Sequence, residues 1–357
     1  MKIKRIITAV IAFSIVCGAV PMNGMKISDN NIRAAAVQDE SSAESENNTW
    51  GSNISWELDS EGTLTISGSG YMQNLYEQTD NSPWSENKNI KRIIVEDGID
   101  NIGNYVFRDC VSLESVSLPD SIKTIGAGAF LGCENLKEIN LPEKLETIRE
   151  YAFFGCSSLV SADIPDGVTV IGDSTFASCS SLSSVTLPEG VYYIAMSAFS
   201  KCSSLESVEI PSSVKAIDDS AFYLCSKLSE ITFRNPLCIL YKSENFLPAE
   251  TKILGYDNST AQVYAEKFGN PFESIGQSSE TAIVDYGTLG GGSENGVYGI
   301  NVTWFLDAEG VLSIKGKDSM QHIYPKQESP WYKNESIKEV QIDNGITNIP
   351  NYAFEGC

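Results

Sequence analysis

Apolar residues return every 23 residues through the middle of the chain. Phenylalanine keeps this step in one column, cysteine keeps it in a second, and leucine keeps it three residues after each cysteine. The columns are Phe107, Phe130, Phe153, Phe176, Phe199 and Phe222; Cys110, Cys133, Cys156, Cys179, Cys202 and Cys225; and Leu113, Leu136, Leu159, Leu182, Leu205 and Leu228. A step held this long predicts a solenoid, in which each repeat packs on its two neighbours.

Within one repeat the pattern predicts a short strand and a turn. Residues 113–118 (LESVSL) alternate apolar and polar at their end, which indicates a strand with one buried face. Pro119 has no N–H and is expected to end that strand. Ile122 and Ile125 are predicted to point inward from a short extended or 3-10 segment, and the turn after them delivers Phe130 to the core. The fold class is therefore a repeat solenoid, mainly β with short 3-10 or helical turns.

The residues before the repeats predict an N-terminal cap. Residues 50–72 are expected to form a β-hairpin, with apolar positions alternating on both strands and a turn at 59–62 (DSEG). Ser82 is interpreted as a helix N-cap, with Pro83 at the first helical position. Such a block would cover the open end of the solenoid, which terminal repeats require.

A second cap is predicted after the repeats, where the 23-residue register fades beyond Phe233. Residues 252–256 (KILGY) indicate a strand. Asn258 or Ser259 is expected to cap a short helix that Gly269 ends. The Gly- and Ser-rich residues 276–297 show no periodicity and are interpreted as a linker.

The start of the pattern then occurs a second time. Trp304, Leu306, Leu312 and Ile314 lie 248 residues after Trp56, Leu58, Leu64 and Ile66, and Trp331, Phe354 and Cys357 lie 247 residues after Trp84, Phe107 and Cys110. The second copy stops inside its first coil, so we expect either an incomplete product or a poorly packed natural tail.

The N-terminus is typical of an export signal. Residues 1–5 (MKIKR) are basic, residues 6–20 are uncharged and mostly apolar, and 34–36 (AAA) offer a cleavage site before Val37. Cys17 is taken as part of the discarded peptide. The predicted organisation is a signal peptide at 1–36, a flexible acidic leader at 37–49, an N-terminal cap at 50–89, the repeat array at 90–235, a C-terminal cap at 236–275, a linker at 276–297, and a second cap with the start of a second, incomplete array at 298–357.

The repeat unit resembles the BspA-like family of bacterial leucine-rich repeats, whose units are 23 residues long. The resemblance rests on the recurring Ala-Phe-x-x-Cys-x-x-Leu-x-x-(Ile/Val)-x-(Leu/Ile)-Pro units, such as residues 198–211, and covers about 90–275 and 337–357. It implies a leucine-rich repeat fold with a parallel sheet, a β-hairpin N-terminal cap and a short α/β C-terminal cap. It also implies adhesion to host or bacterial partners.

Composition excludes several classes of function. The chain has 25 Lys and Arg against 47 Asp and Glu, a net charge of −22, so nucleic acid and anionic membranes are poor partners. The single histidine, His322, removes mechanisms that need paired imidazoles and is interpreted as a surface residue. Asp218 and Asp219 are interpreted as solvated charges, and Gly290–Gly292 as linker rather than a phosphate loop. We expect no catalytic residue, no metal site and no cofactor.

The cysteine column could be a ladder of disulfides or metal ligands. Equivalent Cβ atoms of stacked coils lie about 4.8 Å apart, whereas a disulfide needs about 3.8 Å with opposed geometry. Zinc needs converging thiolates rather than a line of them. We therefore expect buried, unbridged thiols that pack as small hydrophobic groups. Cys238 is off register and receives no interpretation.

Exposed strand positions are the candidate binding residues. They are small, polar and mildly acidic, without the aromatic anchors that dominate tight interfaces. Tyr192 and Tyr193 interrupt polar positions and are expected to form an exposed patch. The candidates are Glu114, Lys137, Glu138, Asp163, Tyr192, Tyr193, Glu206, Glu209 and Glu230.

Three functions remain open from the sequence. The first is a secreted or surface-displayed protein, adhesin-like, that binds a protein or cell-surface ligand and has no transmembrane segment after the signal. The second is a non-catalytic binding or spacer arm of a larger secreted enzyme whose catalytic domain lies beyond Cys357. The third is a passive spacer.

Overall fold

The computed structural model describes most of the chain after the leader. The described residues are 53–75, 82–241, 243, 246–279, 282–288, 302–319, 330–331, 333–349, 353–354 and 357. The predicted signal peptide, the acidic leader, Gly290–Gly292 and His322 lie outside these residues.

The N-terminal cap begins with the predicted hairpin. Strands β1 (Ile54–Leu58) and β2 (Thr63–Gly68) pair antiparallel, with Trp56 opposite Ile66. In the turn, the Asp59 carboxylate accepts hydrogen bonds from two backbone N–H groups, including that of Thr63 at 2.8 Å. These bonds lower the pKa of Asp59. The hairpin prediction is therefore confirmed.

The helix predicted after Ser82 is wrong. The Ser82 hydroxyl does accept hydrogen bonds from the backbone N–H groups of Trp84 (3.0 Å) and Ser85 (2.8 Å), as an N-cap would. From Ser82 to Lys91 the chain nevertheless makes only bends and turns. The capping chemistry is therefore used to fix a turn that places the Trp84 indole, 0% exposed, under the first coil.

The strands of the array come two to a coil, each two to four residues long. After β3 (Gly70–Tyr71) they are β4 (Arg92–Val95), β5 (Ile99–Ile102), β6 (Ser115–Ser117), β7 (Thr124–Ile125), β8 (Glu138–Asn140), β9 (Thr147–Ile148), β10 (Ser161–Asp163), β11 (Val170–Ile171), β12 (Ser184–Thr186), β13 (Tyr193–Ile194), β14 (Ser207–Ile210), β15 (Ala216–Ile217), β16 (Glu230–Phe233) and β17 (Ile239–Leu240).

Equivalent strands pair in parallel between most successive coils, with breaks between β8 and β10, between β9 and β11, and between β12 and β14. Ser115 lies opposite Glu138, Ser161 opposite Ser184 and Ser207 opposite Glu230, each 23 residues apart. The second strand of each coil forms a parallel ladder of its own, as in Thr124 opposite Thr147. The sequence period is thus the register of the stacked coils, and the predicted fold class is confirmed.

Aromatic rings and thiols fill the core between the two ladders. The rings from Trp84 through Phe222 stack at centroid distances of 5.3–5.6 Å, and the six phenylalanines are 0% exposed. Each column cysteine donates its thiol hydrogen to a carbonyl in the preceding coil, as Cys133 does to Phe107 at 3.1 Å. Each coil therefore completes the buried surface of the one before it.

The C-terminal cap contains β18 (Lys252–Asp257), α1 (Thr260–Phe268) and β19 (Phe272–Gln277). Ser259 is the N-cap of α1, and Gly269 ends it with φ of 83°. Both features were predicted. The first ladder continues into this cap with a step of 22 residues, because Glu230 lies opposite Lys252. The Phe246 ring meets Phe222 edge-on at 6.1 Å and ends the parallel stack.

Part of the predicted linker 276–297 forms strands. It contains the end of β19 and strand β20 (Ile283–Thr288), which pairs antiparallel with β21 (Val302–Asp307). Ile283, Tyr286 and Phe305 are buried in the core of the first array. The apolar side chains of β20 explain why this segment forms a strand rather than a linker, because they leave water when they pack on the C-terminal cap.

The later residues repeat the N-terminal hairpin. β21 pairs with β22 (Val311–Gly316), and β23 (Asp318–Ser319), β24 (Glu339–Ile342) and β25 (Ile346–Asn348) follow. The Trp304 and Trp331 rings meet edge-on at 5.5 Å, and Phe354 stacks on Trp331 at 5.8 Å. These contacts build a small core of their own.

Candidate binding surface

Six stacked strands, which belong to three hydrogen-bonded sheets, present one polar surface that we call the sheet face. It consists of the side chains at 114, 137, 160, 183, 206 and 229; at 115, 138, 161, 184, 207 and 230; and at 117, 140, 163, 186, 209 and 232. The middle residue of each strand points inward, so its two neighbours point to solvent. Seven of the nine predicted candidates lie on this face.

An ion pair lies toward the N-terminal end of the sheet face. The Lys137 ammonium donates a hydrogen bond to Glu114 at 3.0 Å, across adjacent coils. This contact lowers the pKa of Glu114, and both side chains remain more than half exposed. Because water screens such a pair, its contribution to stability is small. Its effect is to hold two long side chains in fixed positions.

The C-terminal end carries two further ionic contacts. The Arg234 guanidinium donates two hydrogen bonds to Glu209, at 2.9 and 3.1 Å, which lowers the pKa of Glu209 and raises that of Arg234. Lys252 lies 3.0 Å from Glu230 and 3.2 Å from Glu273, and these hydrogen bonds raise the pKa of Lys252. Two predicted candidates, Glu209 and Glu230, are therefore already paired.

The cations of these contacts were missed from the sequence. Arg234 lies 25 residues after its partner Glu209, and Lys252 lies 22 residues after Glu230. Columns of strictly equivalent positions, 23 residues apart, place neither cation opposite its acid. The loss of register beyond Phe233 was the signal that could have revealed them.

The middle of the sheet face is small and almost uncharged. Ser161 and Ser184 are exposed, Val160 is 50% exposed, and the Thr186 hydroxyl donates to Asp163 at 2.8 Å. Ser183 donates its hydroxyl to the backbone carbonyl of the previous coil at 3.2 Å. The structure therefore offers a flat area of hydroxyl and methyl groups between two ionic zones.

Three acidic candidates remain without an ion pair among the described residues. Glu138, Asp163 and Glu206 are exposed on this face, in or beside its uncharged middle. Their carboxylates are available to basic groups of an incoming molecule.

The exposed tyrosine patch predicted from Tyr192 and Tyr193 is wrong. Tyr193 is only 8% exposed, and Tyr192 is partly buried and packs against the core. Strand β13 belongs to the second ladder, so neither residue lies on the sheet face. The Tyr193 hydroxyl donates to Asp218 in the next coil at 2.7 Å, which gives the buried phenol its hydrogen-bond partner.

The buried thiols are unreactive at neutral pH. The six column cysteines from Cys110 to Cys225 are buried and unbridged, as expected. Cys238, which received no interpretation from the sequence, is also buried and unbridged, whereas Cys357 is exposed. Desolvation raises the pKa of Cys110 and Cys225 to about 12, and it also raises the pKa of the thiols between them. At neutral pH these groups remain protonated and unreactive.

The described part of the chain offers no group of three or more His, Cys, Asp or Glu side chains arranged to hold a metal ion. In the same residues, no helix has the length and apolar character needed to cross a membrane. The sheet face offers hydrogen bonds from hydroxyls, charge contacts from the three acids without an ion pair among the described residues, and contact with Val160.

Several solved structures are similar to this chain. A leucine rich cell surface protein from Faecalibacterium prausnitzii is 19% identical, with 89% of this chain and 81% of that chain covered and a TM-score of 0.42. A leucine-rich repeat protein from Bacteroides ovatus is 23% identical over 86% and 79% of the two chains, with a TM-score of 0.44. A T. pallidum leucine rich repeat protein is 26% identical over 63% and 97%, with a TM-score of 0.42.

No curated protein sequence matches the chain. The sequence profile of the BspA type leucine rich repeat region does match, in six copies, over residues 77–180, 152–270 and 295–357. These ranges cover both the array and the second hairpin with its first coil. The chain belongs to the BspA-type leucine-rich repeat family.

Proposed function

We propose that this chain is a secreted or surface-displayed, adhesin-like protein that binds protein or cell-surface ligands through the sheet face, without catalysis. The observation that carries the proposal is the sheet face itself, which extends over the six stacked strands β6, β8, β10, β12, β14 and β16. Apart from Asp163, its middle carries small, uncharged side chains, so the backbone of a partner can approach closely. The proposed contact residues are Glu114, Lys137, Glu138, Asp163, Glu206, Glu209 and Glu230.

The charges support a specific mode of binding. Paired side chains at both ends of the sheet face are held in place by the contacts described above, so they lose little conformational freedom on binding. The carboxylates of Glu138, Asp163 and Glu206, which have no ion pair among the described residues, favour a partner with Lys or Arg at the contact. Such contacts act mainly on specificity and on the rate of association.

Export is part of this proposal and rests on the sequence of residues 1–36. Mass spectrometry of the protein from its native cells should find a mature N-terminus near Val37, outside the cytoplasm. An intact Met1 on cytoplasmic protein would contradict it. We also propose the boundaries that the sequence predicted, residues 90–235 for the array and 236–275 for its C-terminal cap.

Two variants of the mature protein test the binding surface. Asp163→Lys together with Ser184→Lys places two cations in the middle of the sheet face. Asp166→Lys together with Thr169→Lys makes the same change in net charge at two exposed positions between the two ladders and is the matched control. Saturable binding of labelled protein to cells should fall at least about tenfold for the first variant and hardly change for the control.

Circular dichroism must show that both variants keep the melting temperature of the original protein. Equal binding by all three proteins would place the partner elsewhere and contradict the proposal. Equal loss in both variants would show that net charge, rather than this face, controls binding.

A further inference from the structure

The outer edge of β21 is covered by a strand that fits it closely. In the antiparallel pair with β20, Gly287 lies opposite Trp304 and Tyr286 lies opposite Phe305. The Gly287 backbone rests on the indole: a Cβ at this position would lie 2.8 Å from Trp304 Nε1. Trp304 is only 4% exposed as a result. Glycine is thus the residue that allows the strand to close this cap.

The equivalent edge of β1 carries no strand among the described residues, where β1 pairs only with β2. Backbone bonds from Asp59 to Thr63 (3.0 Å) and from Ser69 to Asn53 (3.2 Å) place the paired groups of β1 on odd-numbered residues. The N–H and C=O of Trp56 therefore point to the outer edge. The Trp56 indole is partly exposed, although it is the counterpart of the buried Trp304.

The sequence upstream of β1 differs from that of β20 at the two positions that matter for the contact with the tryptophan. Residues 45–47 (SEN) lie 248 before 293–295 (SEN), so the correspondence between the two copies extends upstream of both hairpins. The same spacing puts Gln38 and Asp39 at the positions of Tyr286 and Gly287. A side chain at the glycine position would collide with the indole of Trp56, and a carboxylate there would lose its hydration.

The residues on the strand face away from Trp56 and Trp304 differ in charge between β1 and β21. Phe305 is 6% exposed and buried in the core of the first array, whereas its counterpart in β1 is the exposed Glu57. Opposite charges on directly paired strand residues stabilise the pair. A strand added to β1 would therefore gain from a Lys or Arg across from Glu57, followed by a glycine across from Trp56.

We propose that the outer edge of β1 is a second binding site, which takes an extended segment of a partner protein as an added antiparallel strand. Backbone hydrogen bonds to Trp56 supply the attachment, as in other cases of strand addition. The glycine of the segment lies on the Trp56 indole, and its preceding basic side chain lies across from Glu57. This site is separate from the sheet face.

A peptide based on β20 tests the site with the full mature protein. The probe has the sequence of residues 282–289 with the change Tyr286→Lys, and the control peptide carries the further change Gly287→Val. Amide hydrogen exchange should slow at Trp56 when the probe binds. The control peptide should bind roughly tenfold more weakly or worse, because its added side chain meets the indole.

A charge exchange separates the proposal from a general affinity for peptides. Glu57→Lys, at an exposed position that leaves the hairpin intact, should weaken the lysine probe about threefold and strengthen a probe with Tyr286→Glu by a similar factor. Protection confined to the sheet face, indifference to both the Gly287→Val and Glu57→Lys changes, or a Trp56 amide that is already slow before peptide is added would each overturn the proposal.

Discussion

The two hairpin caps share their geometry but differ in what covers them. The Trp56 and Trp84 rings meet at 6.0 Å and 85°, and the Trp304 and Trp331 rings meet at 5.5 Å and 83°. The first cap has an open outer edge among the described residues, whereas β20 closes the second. The repeated residues therefore determine the hairpin, and β20, upstream of the second hairpin, closes the edge of that copy.

The regions beyond the caps differ in how much each coil is supported. Trp84 is followed by six stacked phenylalanines and six buried column thiols. Trp331 is followed by Phe354, which is partly exposed, and by the exposed Cys357. Because repeat stability comes from interfaces between neighbours, the first array should carry most of the stability of the chain.

The largest effect is expected at alkaline pH, which should lower the free energy of unfolding of the first array through its buried thiols. The folded array keeps its buried thiols protonated, with the pKa of Cys110 and Cys225 at about 12, while an unfolded thiol has a pKa of about 8.5. Unfolding therefore releases protons above about pH 9, and the array loses up to about 1.4 kcal/mol per thiol for each pH unit until the folded pKa is reached.

Urea denaturation of the array at pH 7, 8, 9 and 10 measures the loss. The free energy of unfolding should be constant below about pH 8 and fall steeply above pH 9. The double variant Cys156→Ala, Cys179→Ala should show a shallower fall. A free energy that stays level up to pH 10 would contradict the burial of the thiols.

The phenylalanine stack offers the next largest effect. Phe153 lies between Phe130 and Phe176 at ring distances of 5.5 and 5.3 Å, so Phe153→Ala should cost about 3–5 kcal/mol. Phe354→Ala should cost far less, since Phe354 is partly exposed and stacks on Trp331. Thermal denaturation of both variants provides the comparison, and equal costs would remove the proposed difference between the two regions.

The third largest effect is expected at β20, which connects the first array to the second hairpin. Tyr286 is 1% exposed in the core of the first array, so Tyr286→Ala should cost about 3 kcal/mol locally and detach β20. Limited proteolysis should then cut faster between 276 and 297. Tyr71, which is 75% exposed, supplies the control substitution Tyr71→Ala, for which the cutting rate should not change. Unchanged cutting in the Tyr286 variant would mean that β20 does not hold the second hairpin.

The surface ion pairs should have the smallest effect. Arg234→Ala removes two hydrogen bonds to Glu209, but the side chains are 43% and 61% exposed. The expected loss is about 0.5 kcal/mol, and it should shrink further in 1 M salt. A loss above about 2 kcal/mol would show that the pair is less hydrated than its exposure indicates.

The sequence predicted the repeated part of the fold well because one period controls it. Every coil meets the same neighbours, so the columns of Phe107 and Cys110 directly give the core and the parallel register. The Ser259 cap and the Gly269 end of α1 were also readable, because helix ends have local chemistry.

The errors arose where tertiary contacts decide the outcome. Ser82 makes the hydrogen bonds of an N-cap, yet the turn that follows is set by burial of Trp84. Tyr193 was expected at the surface, but a partner for its hydroxyl, Asp218, lies in the next coil. The strand at 283–288 was missed because its few apolar residues gain their partners only from the folded cap. Strand alternation predicted the seven candidates on the sheet face. It did not predict the pairing of Glu209 with Arg234 or of Glu230 with Lys252.

The central claim is that one cap is built twice, with an outer edge that no described strand covers in the first copy and that β20 closes in the second. Residue-resolved amide hydrogen exchange of the mature protein tests it directly. The amides of Trp56 and Trp304 occupy equivalent positions, and in the part of the chain that the structure describes only the Trp304 amide faces an added strand. We expect the Trp304 amide to exchange slowly and the Trp56 amide to exchange far faster. Equal and strong protection of the two amides would contradict the account.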